Sequence, residues 1–305
     1  NNTNKNELNN LLDVLKIIWG KKYFIASVTT LFAIFSVNYA TNLPNIYTST
    51  SVLKPAGQSG SSGSQLGSYS ALAGLAGINL SDNSVSKSKE AIERIQSLDF
   101  FTNHIESNIN LHDLMAVSYW IPEDNILIYD ESQFDGIKNK WVREVSFPLK
   151  QIPSNQEAHK IFIENLSIKE NIDGFVTISI SHQSPYIAKE WTDLVIKNIN
   201  LSMLEADKLL SSKAIDFLND KTKTIALKEL KTAVAQILKS QMQTLMMASI
   251  SENYAYEVIS SAVASEIKSS PNRAMICILG TMFGFILALI SSILFVFYQN
   301  KSKIF

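Results

Sequence analysis

The residues best able to do chemistry in this sequence are four histidines, one cysteine and an acidic run. The histidines are scattered without the paired spacing of a metal site, and the motifs G-x-S-x-G and H-E-x-x-H are absent. In the acidic run 130–135, Phe134 stands at a ligand-type position of a calcium loop, and no glutamate follows at the twelfth position. We therefore predict no catalytic residue, no cofactor and no metal site, and we expect a protein that is not an enzyme. The residues considered are His104, His112, His159, His182 and Cys277.

Two long uncharged runs lie near the ends of the chain. Residues 23–43 and 274–298 contain 21 and 25 residues without a charge. A helix rises about 1.5 Å per residue, so each run can cross a hydrocarbon core of about 30 Å. The first run is longer than the apolar part of a signal peptide and ends in TNLP, which favours a retained anchor. Both runs are predicted as transmembrane helices, which makes membrane lipid a partner.

The basic residues beside these spans predict the orientation of the chain. Six lysines lie on the terminal sides of the spans, and three basic residues lie on the inner sides. This bias predicts a cytoplasmic segment 1–22, an outer domain 44–273 and a cytoplasmic tail 299–305. The terminal set is Lys5, Lys16, Lys21, Lys22, Lys301 and Lys303, and the inner set is Lys54, Lys268 and Arg273.

The charge of the outer domain argues against a nucleic-acid partner. Segment 44–273 holds 21 of the 27 basic residues and 26 of the 28 acidic residues, a net charge of −5. Binding of an anionic polymer normally requires a basic face. We therefore expect no nucleic acid to bind.

The outer domain is predicted to contain both strands and helices. Alternation predicts strands at 47–55, 141–152, 161–169 and 172–182, and helical spacing predicts a helix at 89–108. A flexible glycine/serine stretch occupies 57–68, and a short apolar segment occupies 71–80. These elements predict an α+β domain.

A stretch of 85 residues, 186–270, contains neither glycine nor proline. Apolar residues recur there at helical intervals, which predicts a long projecting helix at about 186–250 that packs on partner helices. Two or three shorter helices folded back on one another are the alternative, with a break most easily placed at 219–223. The packing residues predicted on the long helix are Leu227, Leu230, Val234, Ile237, Met242 and Leu245.

Small residues form a row on one face of the second span. Gly280, Gly284 and Ala288 are each four residues apart. Such a row lets another helix approach closely. We predict that it is a transmembrane packing surface.

The order of these segments resembles the Wzz-type O-antigen chain-length determinants, the class 1 polysaccharide co-polymerases. The similar segments cover nearly the whole chain, and their order is more specific than any one of them. Before Pro271 the sequence departs from the family, which usually has several prolines there, so only Pro271 and Arg273 are transferred as a membrane-proximal motif. The similar segments are LLDVLKIIWGKKYFI with LPNIYTSTSVL, GLAGINLSDNSVSKSKEAIERIQSLDFF, VTISISHQSPYIAKEWTDLVIKNIN, and TLMMASISENYAYEVI with SSPNRAMICILGTMFG.

The resemblance implies a multi-pass protein of the bacterial inner membrane. Its fold would be two transmembrane helices flanking a periplasmic α+β base domain with a long projecting helix of coiled-coil type. The chain would form a bell-shaped homo-oligomer, an octameric ring. It would act with the Wzy-type polymerase on the growing lipid-linked polysaccharide and set the modal length of O-antigen during lipopolysaccharide biosynthesis.

Three other functions remain open on the sequence. The chain could serve capsule or other surface polysaccharide export together with a separate kinase chain. A two-span sensor would need a cytoplasmic output domain, whereas the sequence ends seven residues after Tyr298. An enzyme acting on the polysaccharide would need a catalytic group of residues that the motifs do not supply.

The predicted topology can be tested by thiol labelling in intact cells. With Cys277→Ala as the background, Ser132→Cys should react with a membrane-impermeant reagent and Ser302→Cys should not. The two positions lie on opposite sides of the bilayer if both spans cross it. Labelling of both cysteines from outside would contradict the predicted topology.

Overall fold

The computed structural model describes residues 19–56, 80–222, 228–250 and 253–301. The glycine/serine stretch 57–68 and residues 71–79 of the short apolar segment lie outside them. The chain forms two compact units, one made of Asn1–Asn45 with Lys268–Phe305 and one made of Ile46–Ile267.

The first unit contains two helices, α1 (Lys22–Asn42) and α8 (Arg273–Lys301), which pack against each other. At 21 and 29 residues both are long enough to cross a bilayer. Only 17% and 11% of their apolar stretches are buried, whereas a core helix of a water-soluble protein would be mostly buried. They are therefore candidate membrane helices, one at each end of the chain.

The second unit is built on a four-stranded antiparallel sheet in the order β6-β7-β1-β8. The strands are β1 (Tyr47–Pro55), β6 (Leu166–Glu170), β7 (Val176–His182) and β8 (Tyr256–Ser260). In β7 every second side chain is buried, which matches the alternation in the sequence. The first and last strands of the unit, β1 and β8, are therefore neighbours.

The helices of this unit are α2 (Leu80–Ile95), α3 (Leu98–Phe100) with a five-residue π-helical turn (Phe101–Ile105) and a 3-10 turn (Glu106–Asn108), α4 (Leu111–Met115) and α5 (Asn155–Asn165), followed by α6 (Pro185–Thr222) and α7 (Lys228–Ile250). Three of them, α2, α5 and α6, pack on the sheet, and α7 packs on α6. The largest fully buried side chains come from both the sheet and the helices, and they are Tyr256, Phe101, Phe162, Leu53, Ile95, Ile105, Ile178, Ile180, Ile199, Met203, Val176 and Val195.

Two small hairpins complete the unit. They pair β2 (Val117–Ile121) with β3 (Ile126–Tyr129) and β4 (Phe134–Asp135) with β5 (Lys140–Trp141). Ala116, Phe134 and Trp141 form a second, smaller apolar cluster.

Two predicted strands need correction. The strand predicted at 161–169 begins only at Leu166, because α5 occupies the residues before it. Ser154 starts α5 with a capping box: its hydroxyl accepts from the Glu157 N–H, and the Glu157 carboxylate accepts from the Ser154 N–H. The S-x-x-E spacing was therefore the signal for a helix. Within the strand predicted at 141–152, only Trp141 is in a strand, as the second residue of β5.

The helix predicted at 89–108 is interrupted at Ser97. The hydroxyl of Ser97 accepts a hydrogen bond from the Phe100 N–H at 3.2 Å and starts a new helical segment. This N-cap competes with continuation of α2, so the chain changes direction there.

The projecting helix predicted at 186–250 is also not continuous. Tyr254 donates a hydrogen bond of 2.5 Å to the carboxylate of Asp207. In one helix, residues 207 and 250 would lie about 64 Å apart, and four further residues reach at most about 14 Å. The chain must therefore reverse, and α6 and α7 pack against each other as a hairpin.

The prediction of one helix was thus wrong, and the alternative of shorter helices folded back is correct. Residues 223–227, which lie between α6 and α7, are outside the described residues. α6 remains a long helix, with 38 residues and a length of about 57 Å. The reversal is required because β8 has to return to the sheet beside β1.

Asn200 holds the returning chain against α6. Its side-chain oxygen accepts from the backbone N–H groups of Ala255 and Tyr256 at 2.7 and 2.8 Å. Its amide nitrogen donates to the carbonyls of Ile196 and Tyr256 at 3.1 and 3.2 Å. The side chain is only 4% exposed, and these four bonds satisfy it fully.

We expect Asn200→Ala to lower the free energy of unfolding by about 3 kcal/mol, because it leaves two buried N–H groups without acceptors. The thermal midpoint of the detergent-solubilised protein should therefore fall by several degrees. Asn219→Ala is the matched control, since Asn219 is exposed on the same helix. Equal midpoints for the two variants would show that Asn200 is not an anchor.

Candidate functional site

The first candidate site is the contact between α1 and α8. A Cβ atom added at Gly280 would lie 2.5 Å from the Cβ of Ser36, and one added at Gly284 would overlap the side chain of Phe32. Contacts this short do not occur between real side chains, so only glycine permits this separation of the helices. The rings of Phe32 and Phe283 also meet edge to face at 6.2 Å.

The same face of α8 continues beyond the two glycines. Ala288 and Ser292 follow at four-residue intervals and are buried, at 0% and 1% exposure. The predicted row of small residues therefore lies where the two candidate spans meet.

Arg273 lies at the beginning of α8, where it contacts the end of α1. Its guanidinium donates to the carbonyl of Leu43 at 3.1 Å, which satisfies a backbone acceptor just beyond the helix. Lys268 donates to the side chain of Asn45 at 3.3 Å in the same region. Pro271 lies between these two basic residues, in a segment without regular secondary structure.

A second candidate site secures the base of the α6–α7 hairpin. Lys87 of α2 donates to the carboxylate of Asp207 at 2.7 Å and to the hydroxyl of Tyr254 at 2.9 Å. Tyr254 itself donates to Asp207, so the three side chains form a closed polar triangle. It joins α2, α6 and the segment that follows α7.

The electrostatics of this triangle favour its charged form. Burial alone would lower the pKa of Lys87, but hydrogen bonds to Asp207 and Tyr254 outweigh burial, and the pKa is raised. Burial, together with the hydrogen bond to Asp207, raises the pKa of the Tyr254 hydroxyl. Lys87 therefore stays protonated, and Tyr254 remains a hydrogen-bond donor at neutral pH.

His182 is a structural residue and not a ligand. Its Nδ1 accepts from the Ser184 N–H at 3.0 Å, so Nε2 carries the proton and donates to the carbonyl of Asp113 at 2.8 Å. Burial lowers the pKa of the ring. The imidazole is therefore neutral at pH 7, and it orients the start of α6.

Among the described residues, no three or more of His, Cys, Asp and Glu are grouped so as to hold a metal ion. The residues that join the hairpin to α2 were missed from the sequence. Glu205 and Asp207 are two residues apart on α6, yet Glu205 is exposed whereas Asp207 pairs with Lys87. Only folding brings Lys87, Asp207 and Tyr254 together, since 120 and 47 residues separate the members of each bonded pair.

The predicted packing residues of the long helix are distributed over α7. Val234 and Leu245 are half-buried, whereas Ile237 and Met242 are about half exposed. Leu227 lies outside the described residues, as does the side chain of Leu230. Packing of this set on partner helices stays a prediction.

Comparison with protein-family models identifies the N-terminal part of the chain. Residues 7–107 match the family described as "Wzz: Chain length determinant protein". The match covers about a third of the chain, and it shows that this segment is similar to the chain length determinant proteins. The Wzz-matched segment contains α1, β1 and α2, whereas the hairpin, β8 and α8 follow it.

Two solved structures are similar to this chain along most of its length. A "full-length bacterial polysaccharide co-polymerase" is 13% identical with a TM-score of 0.41, over 95% of this chain and 98% of that chain. A "Fragment of WzzB, Polysaccharide Co-polymerase from Salmonella Typhimurium" is 11% identical with a TM-score of 0.33, over 74% of this chain and 100% of that chain. No curated protein sequence matches the chain.

Gly284→Leu should separate the two spans, because the added side chain would occupy the position of Phe32. Overpacking of this kind costs about 1–3 kcal/mol, so the thermal midpoint of the detergent-solubilised protein should fall. Ser291→Leu adds a similar side chain at an exposed position of the same helix and serves as the control. If the two variants had the same midpoint and the same size on a sizing column, the close contact would be unimportant.

Proposed function

We propose that this chain regulates the modal length of O-antigen made by the Wzy-dependent pathway, as an oligomeric membrane scaffold acting with the polymerase. The observation that carries the proposal is the match of residues 7–107 to the chain length determinant family. We place the chain in the bacterial inner membrane, with both termini in the cytoplasm and the central domain in the periplasm. Its role would be regulatory and not catalytic.

The α6–α7 hairpin supports the scaffold part of this proposal. It is long, and its base is fixed to β8 by Asn200 and to α2 by the triangle of Lys87, Asp207 and Tyr254. A long element with a fixed base can hold a partner at a defined position several nanometres from that base. Single-residue changes on its surface would then alter geometry by degrees, whereas removal of a catalytic group typically costs several powers of ten in rate.

Exposed apolar side chains support self-association. Leu209 and Leu210 on α6 and Met242 and Met246 on α7 are each more than half exposed in the single chain. Large exposed apolar patches commonly mark protein interaction sites. We propose that copies of the chain cover these side chains in a homo-oligomer, an octameric ring as the family resemblance implies, and that the growing lipid-linked polysaccharide and the polymerase meet this assembly.

The test is the ladder of lipopolysaccharide chain lengths on a gel. A deletion strain should still make polymer but lose the preferred length, and the parent gene should restore it. Glu205→Ala, which changes an exposed carboxylate on α6, should keep a modal distribution at matched protein level.

Two outcomes would contradict the proposal. If Glu205→Ala abolished polymer while the protein still assembled, catalysis would have to be considered around that residue. If deletion left the lipopolysaccharide ladder unchanged but altered a capsule, the chain would serve another surface polysaccharide.

A further inference from the structure

Three aromatic side chains form a partly exposed cluster on the second unit, Ile46–Ile267, which we call the central domain. The ring of Trp120 on β2 meets the ring of Tyr47 at 5.5 Å and the ring of Tyr186 at 6.1 Å, both edge to face. Tyr47 and Trp120 are half-buried, and Tyr186 is 56% exposed. The neighbouring Tyr119 is also half exposed. We call Tyr47, Trp120 and Tyr186 the aromatic cluster.

Secondary structure and one hydrogen bond position the cluster, although it is open to solvent. Trp120 donates its indole N–H to the side chain of Asn125 at 2.9 Å, across the β2–β3 turn. Tyr47 is the first residue of β1, and Tyr186 is the second residue of α6. Three separate elements therefore converge to present aromatic rings at one place.

Chain length limits how far this cluster can lie from the end of the first span. Asn42 is the last residue of α1, and Tyr47 begins β1 only five residues later. Five extended residues reach at most about 18 Å. This bound follows from the length of the connection alone.

The chemistry of the cluster suits the boundary between lipid and water. Trp and Tyr are enriched at membrane interfaces, because each has an apolar ring and one polar group that stays hydrated. The exposed carboxylates of Glu123 and Asp124 lie in the adjacent β2–β3 turn. Because they resist burial in hydrocarbon, they would keep the rings at the level of the headgroups.

We infer that the aromatic cluster rests in the headgroup layer of the bilayer and fixes the base of the central domain to the membrane surface. This inference depends on the proposed membrane topology. A polysaccharide stacked on the same rings is the alternative occupant, and the short connection to α1 favours lipid.

The four tryptophans of the chain allow a direct test by fluorescence quenching. Four full-length proteins would each retain one tryptophan, with the other three changed to phenylalanine, in bilayers of plain or brominated lipid. We expect brominated lipid to reduce the emission of the Trp120 protein by a fraction comparable with that of the Trp19 protein. Trp141 and Trp191 are 9% and 4% exposed, so the proteins that retain them are the unquenched controls.

The controls separate failure of this inference from failure of the topology. Trp19 lies just before the first candidate span and is 75% exposed, so it should be quenched if that span enters the bilayer. Quenching of Trp19 without quenching of Trp120 would overturn the inference alone. Absence of quenching at both positions would overturn the topology as well. Emission of Trp120 that responded to polysaccharide released from the strain's lipopolysaccharide, but not to brominated lipid, would assign the rings to sugar and overturn the inference.

A second measurement avoids multiple substitutions. In the otherwise unchanged protein, Trp120→Phe should reduce the share of emission that brominated lipid quenches. Trp191→Phe removes a buried tryptophan and should instead increase that share. The same share for both variants would overturn the inference even if a single-tryptophan protein failed to fold.

Discussion

Strands β1 and β8 carry the two ends of the central domain, and they hydrogen-bond to each other in antiparallel register from Leu53 with Val258 to Pro55 with Tyr256. This pairing constrains everything between them. Whatever the chain builds after β1, it must return to the neighbouring position in the sheet. A single helix over 186–250 cannot satisfy that condition, because its far end would lie about 64 Å from Asp207. The α6–α7 hairpin satisfies it by running out and back.

The return is held by buried polar groups and not by apolar contact alone. Asn200 uses all of its amide hydrogen-bonding groups, and Tyr256 donates from its hydroxyl to the carbonyl of Ser88 at 2.8 Å. Burial raises the pKa of Tyr256 to about 12, so this hydroxyl remains a donor at physiological pH. A buried polar group that loses its partner is costly, which makes such contacts selective for one register. Apolar side chains would tolerate a slipped strand more easily.

The two candidate membrane helices are held together by a different kind of contact, made by different residues. In lipid, association of helices gains little from the hydrophobic effect, so close packing matters more. Gly280 and Gly284 allow the backbone of α8 to approach Ser36 and Phe32. Arg273 then satisfies the carbonyl of Leu43 beside the end of α1. The polar contact lies at the end of the helix pair, and the small residues lie within its length.

The sequence alone determined the features that depend on local pattern. Charge-free length predicted both candidate spans, period-two alternation predicted β1 and β7, and four-residue spacing indicated the small face of α8. The family resemblance also came from sequence order, and the match of residues 7–107 supports it. Each of these features depends on residues that are close together in the sequence, so their spacing can be read from it directly.

The tertiary structure decided where the helices stop and what they meet. The stretch without glycine or proline permitted one helix or two, and the pairing of β1 with β8 and the partners of Asp207 and Asn200 show that the chain reverses. Likewise, Tyr47, Trp120 and Tyr186 are unremarkable in sequence, yet folding places their rings together. Helical propensity is a property of each segment, whereas a reversal is fixed by contacts between residues 47 to 168 positions apart. Those contacts exist only once the sheet has joined the two ends of the domain.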